Sequence, residues 1–172
     1  IGAHAFDGCV KVTGVVDLNL YLDSANVSTI GEYAFANTGI STAIFPTSRI
    51  YFTIPDGIFY NCDNLTSIDL SNCLSIGDSA FEDCTNLTSV VYPVVDASEP
   101  AVTDQYYIHD YAFANCTSLS GGLNLLNCQL IGQYAFAGCS HLSGEISIRN
   151  ALNCSIGIGA FNDCGTQSSG II

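Results

Sequence analysis

One nine-residue phrase recurs along the whole chain: IGAHAFDGC from Ile1, IGEYAFANT from Ile30, IPDGIFYNC from Ile54, IGDSAFEDC from Ile76, IHDYAFANC from Ile108, IGQYAFAGC from Ile131 and IGIGAFNDC from Ile156. Its central phenylalanines are Phe6, Phe35, Phe59, Phe81, Phe113, Phe136 and Phe161. They are spaced about 22 to 32 residues apart, a period that specifies stacked coils rather than a globule with one centre. Each coil must then hide its apolar side against its neighbours, because so short a segment has no core of its own.

Within the copy at Ile76, the apolar Ile76, Ala80, Phe81 and Cys84 fall at i, i+4, i+5 and i+8, which predicts a short helix. Gly77 suits a tight entry. Glu32, Asp56, Asp78, Asp110 and Gln133 then suit the positive end of that helix. After the cysteine the spacing Cys62-x-x-Leu65-x-x-Ile68-x-Leu70, repeated as Cys84-x-x-Leu87-x-x-Val90-x-Tyr92, ends in the alternation of a half-buried strand. Leu18, Leu20 and Leu22 alternate in the same way and lengthen the first return arm.

Together these residues read IGxxAFxxCxxLxxIxL, which resembles the BspA-type leucine-rich repeat. A variant corner, Leu119-Ser-Gly-Gly-Leu123 and Leu142-Ser-Gly-Glu-Ile146, resembles that family's form with one more residue. Thr38 replaces the cysteine, Pro55 and His109 the glycine, and Ile58 the alanine. The resemblance implies an α/β repeat solenoid over residues 1–172, of about seven coils. It would be a leucine-rich-repeat arc with a parallel β-sheet on one face and short helical turns on the other. It also implies a cell-surface or secreted setting and contacts with proteins.

Three Lys and Arg stand against sixteen Asp and Glu, a net charge of −13. Such a surface is a poor partner for nucleic acid or anionic lipid, both of which need clustered basic residues. No apolar run approaches the ~20 residues that cross a bilayer, so no membrane insertion is expected. No signal peptide is visible, and the lack of an initiator Met fits a processed chain or a piece of a longer one.

The segment 93–107, PVVDASEPAVTDQYY, interrupts the repeat phase and reads as an inserted surface loop. A role in contact would fall to Tyr106 and Tyr107. Cys9, Cys62, Cys84, Cys116, Cys139 and Cys164 share one motif position and are expected to point inward as small apolar groups. Cys73, Cys128 and Cys154 lie just before the next motif. Coils about 4.7–4.9 Å apart would allow a disulfide between Cys128 and Cys154. Sequons occur at Asn26, Asn64, Asn86, Asn115 and Asn153, so a chain from a eukaryotic secretory source would carry N-linked glycans, the alternative being that TNLTS is simply repeat consensus.

Catalysis needs convergent groups, and none emerge. His4, His109 and His141 occupy different motif positions, and the cysteines and carboxylates come one per coil rather than as a metal cage. No cofactor, metal or catalytic residue is assigned. The expectation is a non-enzymatic extracellular structural or surface protein, part of a longer array or of an end-to-end fibril. The alternative is an adhesive module that binds a host or matrix protein through strands bearing Asp69, Ser71, Asn124 and Ser147. A polysaccharide-lyase-like parallel β-helix is disfavoured on the helical reading of the motif, which circular dichroism would test.

Overall fold

A computed structural model describes residues 1–19, 30–46, 52–93, 105–148 and 154–165. Two sets of short parallel strands alternate along the chain. The first set is β3 (Phe52–Ile54), β5 (Cys73–Ile76), β7 (Tyr106–Ile108), β9 (Cys128–Ile131) and β11 (Ser155–Ile156). These form one sheet in the order β11-β9-β7-β5-β3. The second set is β1 (Thr13–Asp17), β2 (Gly39–Ile44), β4 (Ser67–Asp69), β6 (Ser89–Val91), β8 (Gly121–Asn124) and β10 (Leu142–Ser147). It pairs as β1-β2, β4-β6 and β8-β10. The coils holding the copies at Ile54, Ile76, Ile108 and Ile131 each run from a main-sheet strand through the motif to a strand of the second set.

The motif is not a helix, and no helix occurs among the described residues. Its fourth residue has positive φ in every copy: His4, Tyr33, Gly57, Ser79, Tyr111, Tyr134 and Gly159. So does its eighth: Gly8, Asn37, Asn61, Asp83, Asn115, Gly138 and Asp163. Two left-handed residues four apart rule out a continuous right-handed helix. The motif is a run of tight turns instead, with Phe81 N–H donating to Ala112 O (2.8 Å) in the next coil while Cys84 N–H donates to Phe81 O (3.2 Å) locally. Turn stacks replace the expected helical face, and the molecule is a β-solenoid with parallel sheets. The helical signal expected to separate it from a parallel β-helix is therefore absent.

Among the described residues the solenoid makes about five turns, matching the five strands of its main sheet, where seven coils were expected. Each main-sheet strand leads into one of the copies at Ile54, Ile76, Ile108, Ile131 and Ile156. The copies at Ile1 and Ile30 have no described main-sheet strand before them.

Inside, the seven phenylalanine rings form one column. Centroids are 5.3, 5.8, 5.9, 5.2, 5.2 and 5.5 Å apart from Phe6 to Phe161, all near-parallel. Burial of each inner ring contributes about 1.5–3 kcal/mol, and each aromatic pair a further ~0.5–1.5 kcal/mol. Leu65, Leu87, Leu119 and Leu142 close the corner, and Ile54, Ile76, Ile108 and Ile131 close the strands.

The expected insertion over 93–107 ends early. Tyr106 and Tyr107 belong to β7, and Tyr106 is 1% exposed, so of the two only Tyr107 faces solvent. Residues 94–104 lie outside the described residues, as do Leu20 and Leu22; β1 stops at Asp17 and Leu18 is buried.

Candidate interaction surface

The turn corners carry the most regular surface of the molecule, built column by column. At the third motif position, Asp56 accepts a hydrogen bond from Asp78 N–H (2.8 Å), Asp78 from Asp110 N–H (3.0 Å) and Asp110 from Gln133 N–H (2.7 Å). The carboxylates thus bind the backbone of the following coil rather than capping a helix. At the eighth position Asn61 donates to Asn37 (2.8 Å) and Asn115 to Asp83 (2.9 Å). Asn and Asp tolerate the left-handed region and bond laterally there, which explains why only Gly, Asn and Asp stand at this position.

At the fourth position His4 stacks on Tyr33 (5.2 Å) and Tyr111 on Tyr134 (5.3 Å). Gly57 and Gly159 follow Tyr33 and Tyr134 because a Cβ there would lie 2.1 or 2.5 Å from the tyrosine ring. Partial burial, then the carboxylates of Asp56, Glu82 and Asp78, push the Tyr33 hydroxyl above its ordinary pKa. Tyr60 is raised likewise by burial and then by Asp83 and Glu82. The corner ridge is aromatic and acidic at once.

The strand face expected to bind a partner is more mixed. Asp69 and Asn124 are exposed, but Ser71 and Ser147 are half-buried. Asp69 accepts from Ser71 N–H (2.9 Å), and Ser147 donates to Glu145 (2.7 Å). Ser147 pairs with Asn124, whereas Asp69 pairs with Val91 in a separate strand pair.

The histidines do not converge: His4 contacts Asp7, His109 contacts Ser75 and His141 contacts the Thr117 carbonyl. No group of three His, Cys, Asp or Glu residues that could hold a metal occurs among the described residues. No helix there is long and apolar enough to cross a membrane.

The motif cysteines form an inner column. Cys62, Cys84, Cys116, Cys139 and Cys164 each donate Sγ–H to the phenylalanine carbonyl one coil back, at 3.1–3.2 Å. Thr38 does the equivalent within its own coil, to Phe35 O at 2.8 Å. Cys9 departs from the inward expectation and is exposed, having no described coil in front of it. A second interior group was not legible in the sequence: the hydroxyls of Tyr92 and Tyr106, on either side of the insertion, are buried with no hydrogen-bond partner among the described residues. Burial raises both hydroxyls, and neighbouring thiols add to the effect.

Among the sequon asparagines, Asn64, Asn86 and Asn115 are exposed. The Asn64 carboxamide donates to Gly39 O (3.4 Å) and that of Asn86 to Asp63 O (2.7 Å). Asn26 and Asn153 lie outside the described residues.

A family model described as "BspA type Leucine rich repeat region" matches residues 1–99 and 106–171 in six copies. The chain belongs to the BspA-type leucine-rich repeat family. A crystal structure of a leucine-rich repeat protein from Bacteroides ovatus is similar to this BspA-type chain, with a TM-score of 0.57 at 21% identity. The match covers 95% of the BspA-type chain and 50% of the other, so the chain spans half the length of that structure. At that identity the likeness shows the fold. No curated protein matches the sequence. Family and fold together make the BspA-type chain a repeat module for protein interaction or for structure.

Proposed function

We propose that this chain is a non-enzymatic extracellular structural protein whose solenoid is continued by a further coil, from a longer chain or from a second copy. The supporting observation is a matched pair of open backbone rows. In every inner coil, N–H groups at motif positions four, six and eight donate to carbonyls at positions three, five and seven of the next coil, as Tyr111, Phe113 and Asn115 do to Gln133, Ala135 and Ala137. The N–H groups of Gly159, Phe161 and Asp163 have no such acceptors among the described residues, and the carbonyls of Ala3, Ala5 and Asp7 no such donors. Phe6, at 39% exposure, and Ile156, at 47%, add apolar surface to those two ends. Unpaired strand-like edges of this kind template the addition of another chain. In a secreted setting, glycans on Asn64, Asn86 and Asn115 would decorate the exposed corners without covering either end.

The test is negative-stain microscopy and sedimentation of the chain and of Ala5→Glu. Ala5 is exposed, whereas its counterparts Ala34, Ala80 and Ala112 are wholly buried, so a docked coil would trap an unpaired carboxylate there. End-to-end assemblies that disappear in Ala5→Glu, at unchanged monomer melting temperature, are the expected result. A monodisperse monomer at micromolar concentration would contradict assembly from second copies. Binding of a matrix protein, lost on substituting the exposed Asp69 and Asn124, would favour the adhesive alternative.

A further inference from the structure

Strand β9 has neighbours on both sides, and their registers match. On one side Tyr106 lies opposite Cys128, Tyr107 opposite Leu130 and Ile108 opposite Ile131, with Gln129 bulged out between. On the other side Ser155 lies opposite Leu130 and Ile156 opposite Ile131. Cys154 precedes Ser155 as Tyr106 precedes Tyr107, so the same register sets Cys154 against Cys128. Parallel strands about 4.7–4.9 Å apart fall within the Cα separation of roughly 4.4–6.8 Å that a disulfide spans.

The side chains agree with that placement. Cys128 and Cys154 each perturb the other's ionisation, so the two sulfurs are neighbours. Cys128 is buried and Cys154 only half-buried, which gives the pair one reachable sulfur. The Cys154 thiol is weakly engaged, 3.9 Å from Ser155 O. Cys164, the other half-buried thiol of that coil, is held at 3.2 Å on the Phe136 carbonyl instead. Thiols at Cys62, Cys84 and Cys116 are buried and reach no oxidant in the folded chain.

We propose that Cys128 and Cys154 are joined by a disulfide that fastens β11 and its turn to the rest of the array, formed by exchange with a small-molecule disulfide. The Cys154 sulfur, deprotonated to solvent, attacks one sulfur of that disulfide; the external S–S bond breaks, and one half leaves as a thiolate that takes up a proton. The Cys128 sulfur then attacks the Cys154 sulfur of the mixed disulfide, loses its proton and expels the second half as a thiol. Two protein thiols are oxidised and one external disulfide is reduced to two thiols. Access sets the order, since only Cys154 meets solvent. The need for a fastening follows from packing: β11 has two residues, both exposed, and Ile158 beyond it is 74% exposed.

The chain is incubated with oxidised glutathione, denatured without reductant, alkylated and mapped by mass spectrometry. One linked peptide pair, Cys128 with Cys154, is expected, with the buried thiols alkylated and the exposed Cys9 alkylated or carrying glutathione. It should persist in Cys164→Ser and vanish in Cys154→Ser, where hydrogen exchange over residues 155–164 becomes faster than in the oxidised parent. Full alkylation of both Cys128 and Cys154 in the glutathione-treated parent overturns the proposal, as does a Cys139–Cys164 link in their place. The parent's own map is decisive even if a variant fails to fold.

Discussion

The Cys84 thiol donates a hydrogen bond to the carbonyl oxygen of Phe59, 3.1 Å away and one coil back. The bond uses the thiol in its protonated form, at a site closed to solvent. Burial accordingly pushes Cys84 well above the ordinary thiol range, Cys73 to about 12 and Cys164 to about 11.

Alkaline sensitivity follows from those thiols. Their folded pKa values lie above the unfolded value of 9.0, so the stabilisation is complete below pH 9 and is lost as pH rises towards 11–12. Above pH 9 the unfolded chain releases thiol protons that the folded chain keeps. Urea midpoints should be flat from pH 7 to 8.5 and fall steeply from about pH 9. Replacing Cys84 with Ala should make that fall shallower, besides lowering stability at neutral pH. An unchanged slope would show that the thiol column does not carry the effect.

Position along the ring column should grade the cost of losing a ring. Phe81 is fully buried between Phe59 and Phe113, whereas Phe6 is 39% exposed and, among the described residues, stacks on Phe35 alone. Phe81→Ala should cost about 3–5 kcal/mol, and Phe6→Ala well under half of that. Chemical denaturation of the two variants measures both, and equal losses would contradict a continuous column.

Tyr33 and Gly57 should behave as a coupled pair. Gly57 has a φ of 56°, and a Cβ added to it would lie 2.1 Å from the Tyr33 ring. Gly57→Ala should destabilise by about 2 kcal/mol or more from clash and strain together. Adding Tyr33→Ser should relieve the clash and leave roughly 1 kcal/mol of left-handed strain. A double-mutant cycle with no coupling would place that ring elsewhere.

The seven-fold phrase made the stacked phenylalanines and the buried leucine corners legible, because in-phase side chains of one kind can be hidden only by stacking. It also marked the Cys62 to Cys139 column as inward. The helix expected from Ile76, Ala80, Phe81 and Cys84 failed because that apolar spacing also suits a run of turns pointing the same side chains inward. The signal against a helix was present at the eighth position, where only Gly, Asn and Asp occur. Tyr106 looked like part of a loop because it adjoins the insertion; it is a core residue because β7 pairs it with Cys128.

Sequence alone determined that this chain is a solenoid, since no single coil can bury its phenylalanine without the next. Only the tertiary structure decided what each coil is made of. Lateral hydrogen bonds between stacked turns, such as Phe81 N–H to Ala112 O, satisfy the backbone that a helix would have satisfied within itself. Those partners lie a whole coil away in sequence, where no local pattern can announce them.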